Sequence, residues 1–177
     1  MISYLKRDLT RAAPEGASML KVLIISLIGH TQQMVLLLRI GQSLVRLPFI
    51  GCFFRVLFEY IIRILFSSDI SLLARIGPGL VFTHGHDIVI GADVEIGENA
   101  RIFNGVTLGN KDLFSSSKGN QPKIGSDVII CTGAKVLGPV KVGNGVIVGA
   151  NSVVFRDCPN NSIAVGIPAK VKKKDGI

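Results

Sequence analysis

Two of the three histidines, His84 and His86, stand two residues apart in the run Thr83-His84-Gly85-His86-Asp87. Histidines in a polar interruption of a regular scaffold serve catalysis or binding, or sit as ordinary surface residues. A catalytic zinc held by three imidazoles needs one more ligand than this pair supplies, so no metal site is expected. A second polar interruption covers residues 110–121 and includes Ser115, Ser116, Ser117, Lys118, Gly119 and Asn120, a composition that reads as an exposed loop. Both interruptions are located by the regular pattern they break.

That pattern is a six-residue clock. Ile76, Phe82, Ile88, Val94, Ala100 and Val106 form one run, and Ile124, Ile130, Val136, Val142 and Val148 form another. A helix repeats at about 3.6 residues and a half-buried strand at about 2, so a period of six marks hexapeptide coils stacked into a parallel β-helix. Each hexapeptide gives a short strand and a bend, three make a triangular coil, and residues 70–170 supply about five or six coils. The Ile76-Gly77 and Ile90-Gly91 corners are 14 residues apart where two hexapeptides need 12, which leaves two surplus residues beside His84 and His86. Leu108-Gly109 and Ile124-Gly125 are 16 apart, four over a multiple of six, so part of 110–121 must leave the stack.

A chain of 177 residues, 48% apolar and 18% charged, holds one main domain with an appendage. Cys52, Cys131 and Cys158 are odd in number and lack metal-ligand spacing, which excludes a disulfide framework and a zinc site and fits a reducing cytosol. The first ten residues do not read as a signal peptide, so a cytoplasmic location is expected. The net charge of +8 comes from arginines across residues 39–75 and from Lys170, Lys172, Lys173 and Lys174. Such an excess attracts cofactor phosphates, anionic lipid or nucleic acid. Nucleic acid is the weakest of these and is not expected as a partner, because no binding motif accompanies the charge.

Residues 1–68 read as a helical segment for oligomer or membrane contact, and residues 69–177 as the coil with a basic tail. Residues 22–38 carry no formal charge, but Gly29, His30, Thr31, Gln32 and Gln33 interrupt them and they fall short of the ~20 residues of a membrane span. A buried or interfacial helix is expected there. Residues 44–66 place Arg55, Glu59 and Arg63 at i, i+4 and i+8, one charged stripe on an apolar helix whose start is marked by Pro48 and Gly51. Such a helix packs on a partner subunit, or lies in a bilayer surface with its arginines at headgroup level.

Six motifs add family character: Asp69-Ile70, Ile76-Gly77-Pro78-Gly79, His84-Gly85 followed by Ile88-Val89-Ile90-Gly91, Asn104-Gly105-Val106-Thr107-Leu108-Gly109, Pro122-Lys123-Ile124-Gly125 and Val165-Gly166-Ile167-Pro168-Ala169-Lys170. With them, residues 69–170 resemble the left-handed β-helix acyltransferases, nearest the serine acetyltransferase branch and the capsule or exopolysaccharide O-acetyltransferases related to it. The resemblance implies a mainly β fold, a left-handed parallel β-helix of hexapeptide repeats with an N-terminal α-helical segment. It implies acetyl-coenzyme A as donor, His84 as general base and Asp69, fifteen residues earlier, as the carboxylate that orients it. That pairing suits the chemistry, because an alcohol attacks a thioester only once a base takes its proton. Direct transfer without an acyl-enzyme is implied. The positions matching donor contacts are Asn110, Thr132, Gly133, Ala150 and Lys170, in a groove between neighbouring subunits. A homotrimer follows, or a dimer of trimers where the front helices pair.

Two departures bear on the acceptor. Serine acetyltransferases carry Arg-His before the Pro-Lys-Ile motif and Asp before the catalytic His, where this chain has Asn120-Gln121 and Thr83. Losing a cation for a carboxylate and an anion for an ammonium removes the charge complement of a zwitterion. The expectation is therefore acetylation of a sugar hydroxyl in surface polysaccharide synthesis, on a saccharide of the lipid-linked kind at the inner face of the membrane. Thr83, His86, Asn104, Asn120 and Gln121 would face that acceptor, with His86 alternatively a turn residue. The alternative is serine O-acetylation in cysteine biosynthesis.

Overall fold

The computed structural model describes residues 2–112, 114 and 116–174. Ser115 and residues 175–177 of the expected coil unit lie outside the described residues. Four helices come first: α1 (Ile2–Ala12), α2 (Met19–Ile28), α3 (His30–Leu44) and α4 (Gly51–Phe66). The Ser18 hydroxyl caps α2 by accepting from the Lys21 N–H. The uncharged stretch 22–38 is not the one helix expected from its composition. Gly29 breaks it with extended backbone, and α2 and α3 meet at 89°. A Cβ on Gly29 would lie 2.7 Å from the Ile25 carbonyl oxygen, so the break needs glycine. Among the described residues no single helix is long and apolar enough to cross a membrane.

The rest is a three-sided coil with strands numbered along the chain. One face stacks β1 (Asp69–Ile70), β4 (Val89–Ile90), β7 (Thr107–Gly109), β10 (Lys135–Leu137) and β13 (Val153–Val154). A second stacks β2 (Arg75–Ile76), β5 (Glu95–Ile96), β8 (Lys123–Ile124) and β11 (Lys141–Val142). The third stacks β3 (Val81–Thr83), β6 (Arg101–Phe103), β9 (Ile129–Ile130), β12 (Ile147–Val148) and β14 (Ser162–Val165), and closes with β15 (Lys170–Lys173) running antiparallel to β14. This is the expected left-handed parallel β-helix behind a helical segment. All eleven residues of the six-residue clock are buried. Register stacks like on like: Ile90 on Leu108 on Val136 on Val154, and Ile102 on Ile130 on Val148. Burying each rung's apolar corner under the next is the main stabilising term, at about 25 cal/mol per Å² of apolar surface.

Helices and coil share a single core, in which Met34, Val35, Leu38, Ile62 and Phe66 pack with Ile70, Leu80 and Phe82. The tie between them is ionic and buried. Asp8 and Arg39 have side-chain exposures of 0% and 1% and pair at 2.8 Å. Asp8 Oδ1 also accepts from the backbone N–H groups of Gly79 at 2.6 Å and Leu80 at 2.8 Å. Arg39 donates to Asp8, to Gln42 Oε1 and to the carbonyls of Ile76 and Gly77. Removing one member strands a charge in the core. Asp8→Ala is therefore expected to cost about 3–5 kcal/mol of stability in urea unfolding, far more than an exposed ion pair would.

Candidate functional site

The site follows from how the chain turns the corner from the third face to the first. Each rung places one left-handed residue there: Asp87 (φ 55°), Gly105 (71°), Gly133 (73°) and Asn151 (54°). A ladder of backbone hydrogen bonds joins them, Gly105 N–H to His86 O, Gly133 N–H to Asn104 O and Asn151 N–H to Thr132 O. Above the first rung the Asp87 N–H reaches Ser67 O, which ends α4. The two surplus residues of the first break add a second left-handed residue, His84 at φ 55°. A non-glycine residue rarely holds that backbone, and such positions gather at functional sites.

One edge of the prism therefore carries His84, His86, Asn104, Thr132, Gly133 and Ala150 in descending order. His84 and His86 are exposed, and the Thr132 hydroxyl donates to Asn104 Oδ1 at 3.2 Å. Thr83 ends β3, beside Phe103 in register and one residue before the left-handed turn. Gly85, between the histidines, is buried under α3: a Cβ there would meet Met34 Sδ at 2.9 Å and Thr31 Cγ2 at 3.4 Å.

Asp69 begins β1 at this same edge, and its N–H donates to Ile88 O at 2.8 Å. Its carboxylate is engaged differently from the expected pairing. Asp69 Oδ1 accepts from Arg63 Nη2 at 2.8 Å, both side chains are more than half exposed, and the carboxylate makes no hydrogen bond to His84 among the described residues. The bond to Asp69 raises the Arg63 pKa above its ordinary value. The stripe Arg55, Glu59, Arg63 is thus turned onto the coil, since Glu59 in turn accepts from Leu72 N–H and Ser71 Oγ. Sequence reading did not place Arg63 beside Asp69. Its one signal was a cation in the last turn of α4, six residues before Asp69.

Asn110, Asn120 and Gln121 fall on the next edge, where the chain passes from the first face to the second. Gln121 is 8% exposed and gives its Oε1 to the Asp93 N–H at 2.8 Å, so it is a wall residue in this chain. Asn120 closes its own loop by donating to Ser116 O. Lower on that side, Lys170 lines a cleft of about 580 Å³ with Lys111, Phe155, Arg156, Pro168 and Ala169. Lys111 Nζ lies 5.4 Å from the Phe155 ring centre. A larger hollow, about 850 Å³, runs beside the second face and contains neither His84 nor His86. Burial raises the pKa of the Cys131 and Cys158 thiols, which suits packing and not nucleophilic attack.

Residues 121–156 match the model of the bacterial transferase hexapeptide (six repeats). A serine acetyltransferase of Helicobacter pylori is 43% identical over 113 residues, 64% of this chain and 65% of that protein. Soybean serine acetyltransferase, solved in complex with serine, superposes with a TM-score of 0.84 at 32% identity, covering 96% of this chain and 68% of that one. The chain belongs to the serine acetyltransferase family of hexapeptide-repeat transferases. The Brucella abortus family member, solved with coenzyme A, superposes with a TM-score of 0.86 at 26% identity, covering 99% and 68%. The chain thus spans about two thirds of the length of the family members it matches.

These matches overturn the sugar acceptor and its place in polysaccharide synthesis, because relatives at this identity are serine acetyltransferases. The physical reason lies in the loop. Asn120 and Gln121 were weighed as replacements for a charge complement, but here they hold the loop and its wall, so their neutrality says nothing of the acceptor.

The seat of Gly85 gives a test of how α3 positions the histidines. Gly85→Val would force a branched side chain against Met34 and Thr31, with an expected cost of about 1–3 kcal/mol in urea unfolding and a fall in whatever activity His84 supports.

Proposed function

We propose that this protein is an acyltransferase that carries an acetyl group from acetyl-coenzyme A to the hydroxyl of serine, with His84 as general base. The observation that carries the reading is the edge column headed by His84, on a coil that matches serine acetyltransferases solved with serine and with coenzyme A. His84 takes the hydroxyl proton as the serine oxygen bonds to the thioester carbonyl carbon. The tetrahedral oxyanion collapses, the carbon–sulfur bond breaks, and the imidazolium returns its proton to the departing thiolate. No acyl-enzyme is needed. Thr132, Gly133 and Ala150 leave room beside the backbone for the pantetheine arm, and the Lys111, Arg156 and Lys170 cleft offers cations to its phosphates.

The functional unit is a homotrimer in this reading. Donor-contact residues lie on two different edges of the prism, so a groove lined by both needs one edge from each of two protomers. The apolar stripe Phe53, Val56, Tyr60 and Ile64 on α4 is exposed in the single chain and gives the front helices a surface to pair through.

The test is thiol release from acetyl-coenzyme A with L-serine as acceptor. Saturable, serine-dependent release is expected, and His84→Ala should lower kcat by about 10²- to 10⁴-fold while the KM for acetyl-coenzyme A holds. A native protein that releases no thiol on addition of serine would overturn the assignment.

A further inference from the structure

We propose that Arg63 is the receptor for the acceptor's carboxylate, which it would grip beside the carboxylate of Asp69. The inference rests on serine being the acceptor. At neutral pH serine brings an ammonium and a carboxylate along with its hydroxyl, and a guanidinium is the group that grips a carboxylate with two parallel bonds.

Three observations put that guanidinium at Arg63. Its helix is tied to the histidine edge: α4 ends at Phe66, Ser67 O accepts from Asp87 N–H, and Asp69 N–H donates to Ile88 O. Its side chain is 55% exposed and tied to one carboxylate, so solvent-facing N–H groups remain for a second. Several other cations are committed elsewhere. Arg39 is buried on Asp8, Arg55 lies on Glu59, Arg75 and Lys123 lie on Glu95 of the second face, and Lys135 Nζ donates to Gly105 O.

The experiment compares Arg63→Gln and Arg63→Lys with the native protein, using L-serine and L-serinamide, which lacks the carboxylate. Arg63→Gln is expected to raise the KM for L-serine by about 10- to 100-fold, the loss of one charge-assisted contact, with the KM for acetyl-coenzyme A unchanged and Arg63→Lys intermediate. Native protein should handle L-serinamide as poorly as Arg63→Gln does, and the variant should lose nothing further with that acceptor. The native comparison needs no variant to fold. If native protein saturates with serine while Arg63→Gln shows the native KM, or if native protein does not distinguish serine from serinamide, this inference is overturned and the serine assignment stands. If native protein ignores serine altogether, both are overturned together.

Discussion

Everything in the coil depends on turning three corners per rung without losing strand register. A left-handed residue costs an L-amino acid about 1–2 kcal/mol, so a rung tolerates few of them and puts glycine, asparagine or aspartate there. At the edge leading into the first face the turn residues are Asp87, Gly105, Gly133 and Asn151, and each rung's N–H is spent on the carbonyl of the rung above. That ladder makes neighbours of residues far apart in sequence. His86, Asn104 and Thr132 share an edge because each precedes a backbone atom that the register cannot move. His84 departs from the rule with a second left-handed position on one rung, and the departure lifts its imidazole clear of the stack.

A second constraint fixes the helices on that coil. Arg39 carries five N–H donors, and all five find acceptors in Asp8, Gln42, Ile76 O and Gly77 O. A buried guanidinium so fully used tolerates little displacement of α1 or α3 against the second and third faces. Because α3 packs on α4, the place of the last turn of α4 is inherited from this buried pair, and with it the reach of Arg63 to Asp69. The helical segment is thereby part of the site's geometry and not a detachable appendage.

The scaffold was legible because burial in a β-helix is periodic in sequence as it is in space. Its details were less so. The first run of the clock joins two tracks: Ile76 and Phe82 lie within strands, whereas Ile88, Val94, Ala100 and Val106 lie just before them. The slip at His84 moves the strand position by two residues, and an apolar residue stands at both places, so the count ran on unbroken. The second interruption was under-counted for a related reason. Leu108 and Ile124 are on successive faces, one hexapeptide apart, so ten residues are inserted where a multiple of six suggested four. The break at Gly29 was hidden by composition, since an uncharged stretch looks the same straight or bent. Arg63 read as one cation of a helical stripe, because periodicity shows which face a residue occupies and not what that face meets.

The same geometry explains why a single chain looks incomplete as an enzyme. Positions read as donor contacts divide between the edge of Thr132, Gly133 and Ala150 and the next edge, where Asn110 stands, and a whole sheet face separates the two. In the trimer proposed above, the His84 edge of one prism would face the loop edge of another. In the proposed trimer each groove then takes its base and acceptor-binding residues from one protomer and part of its donor wall from another. Such an arrangement frees the residues of 110–121 from reading the acceptor within their own chain, where Gln121 and Asn120 are spent on holding the loop.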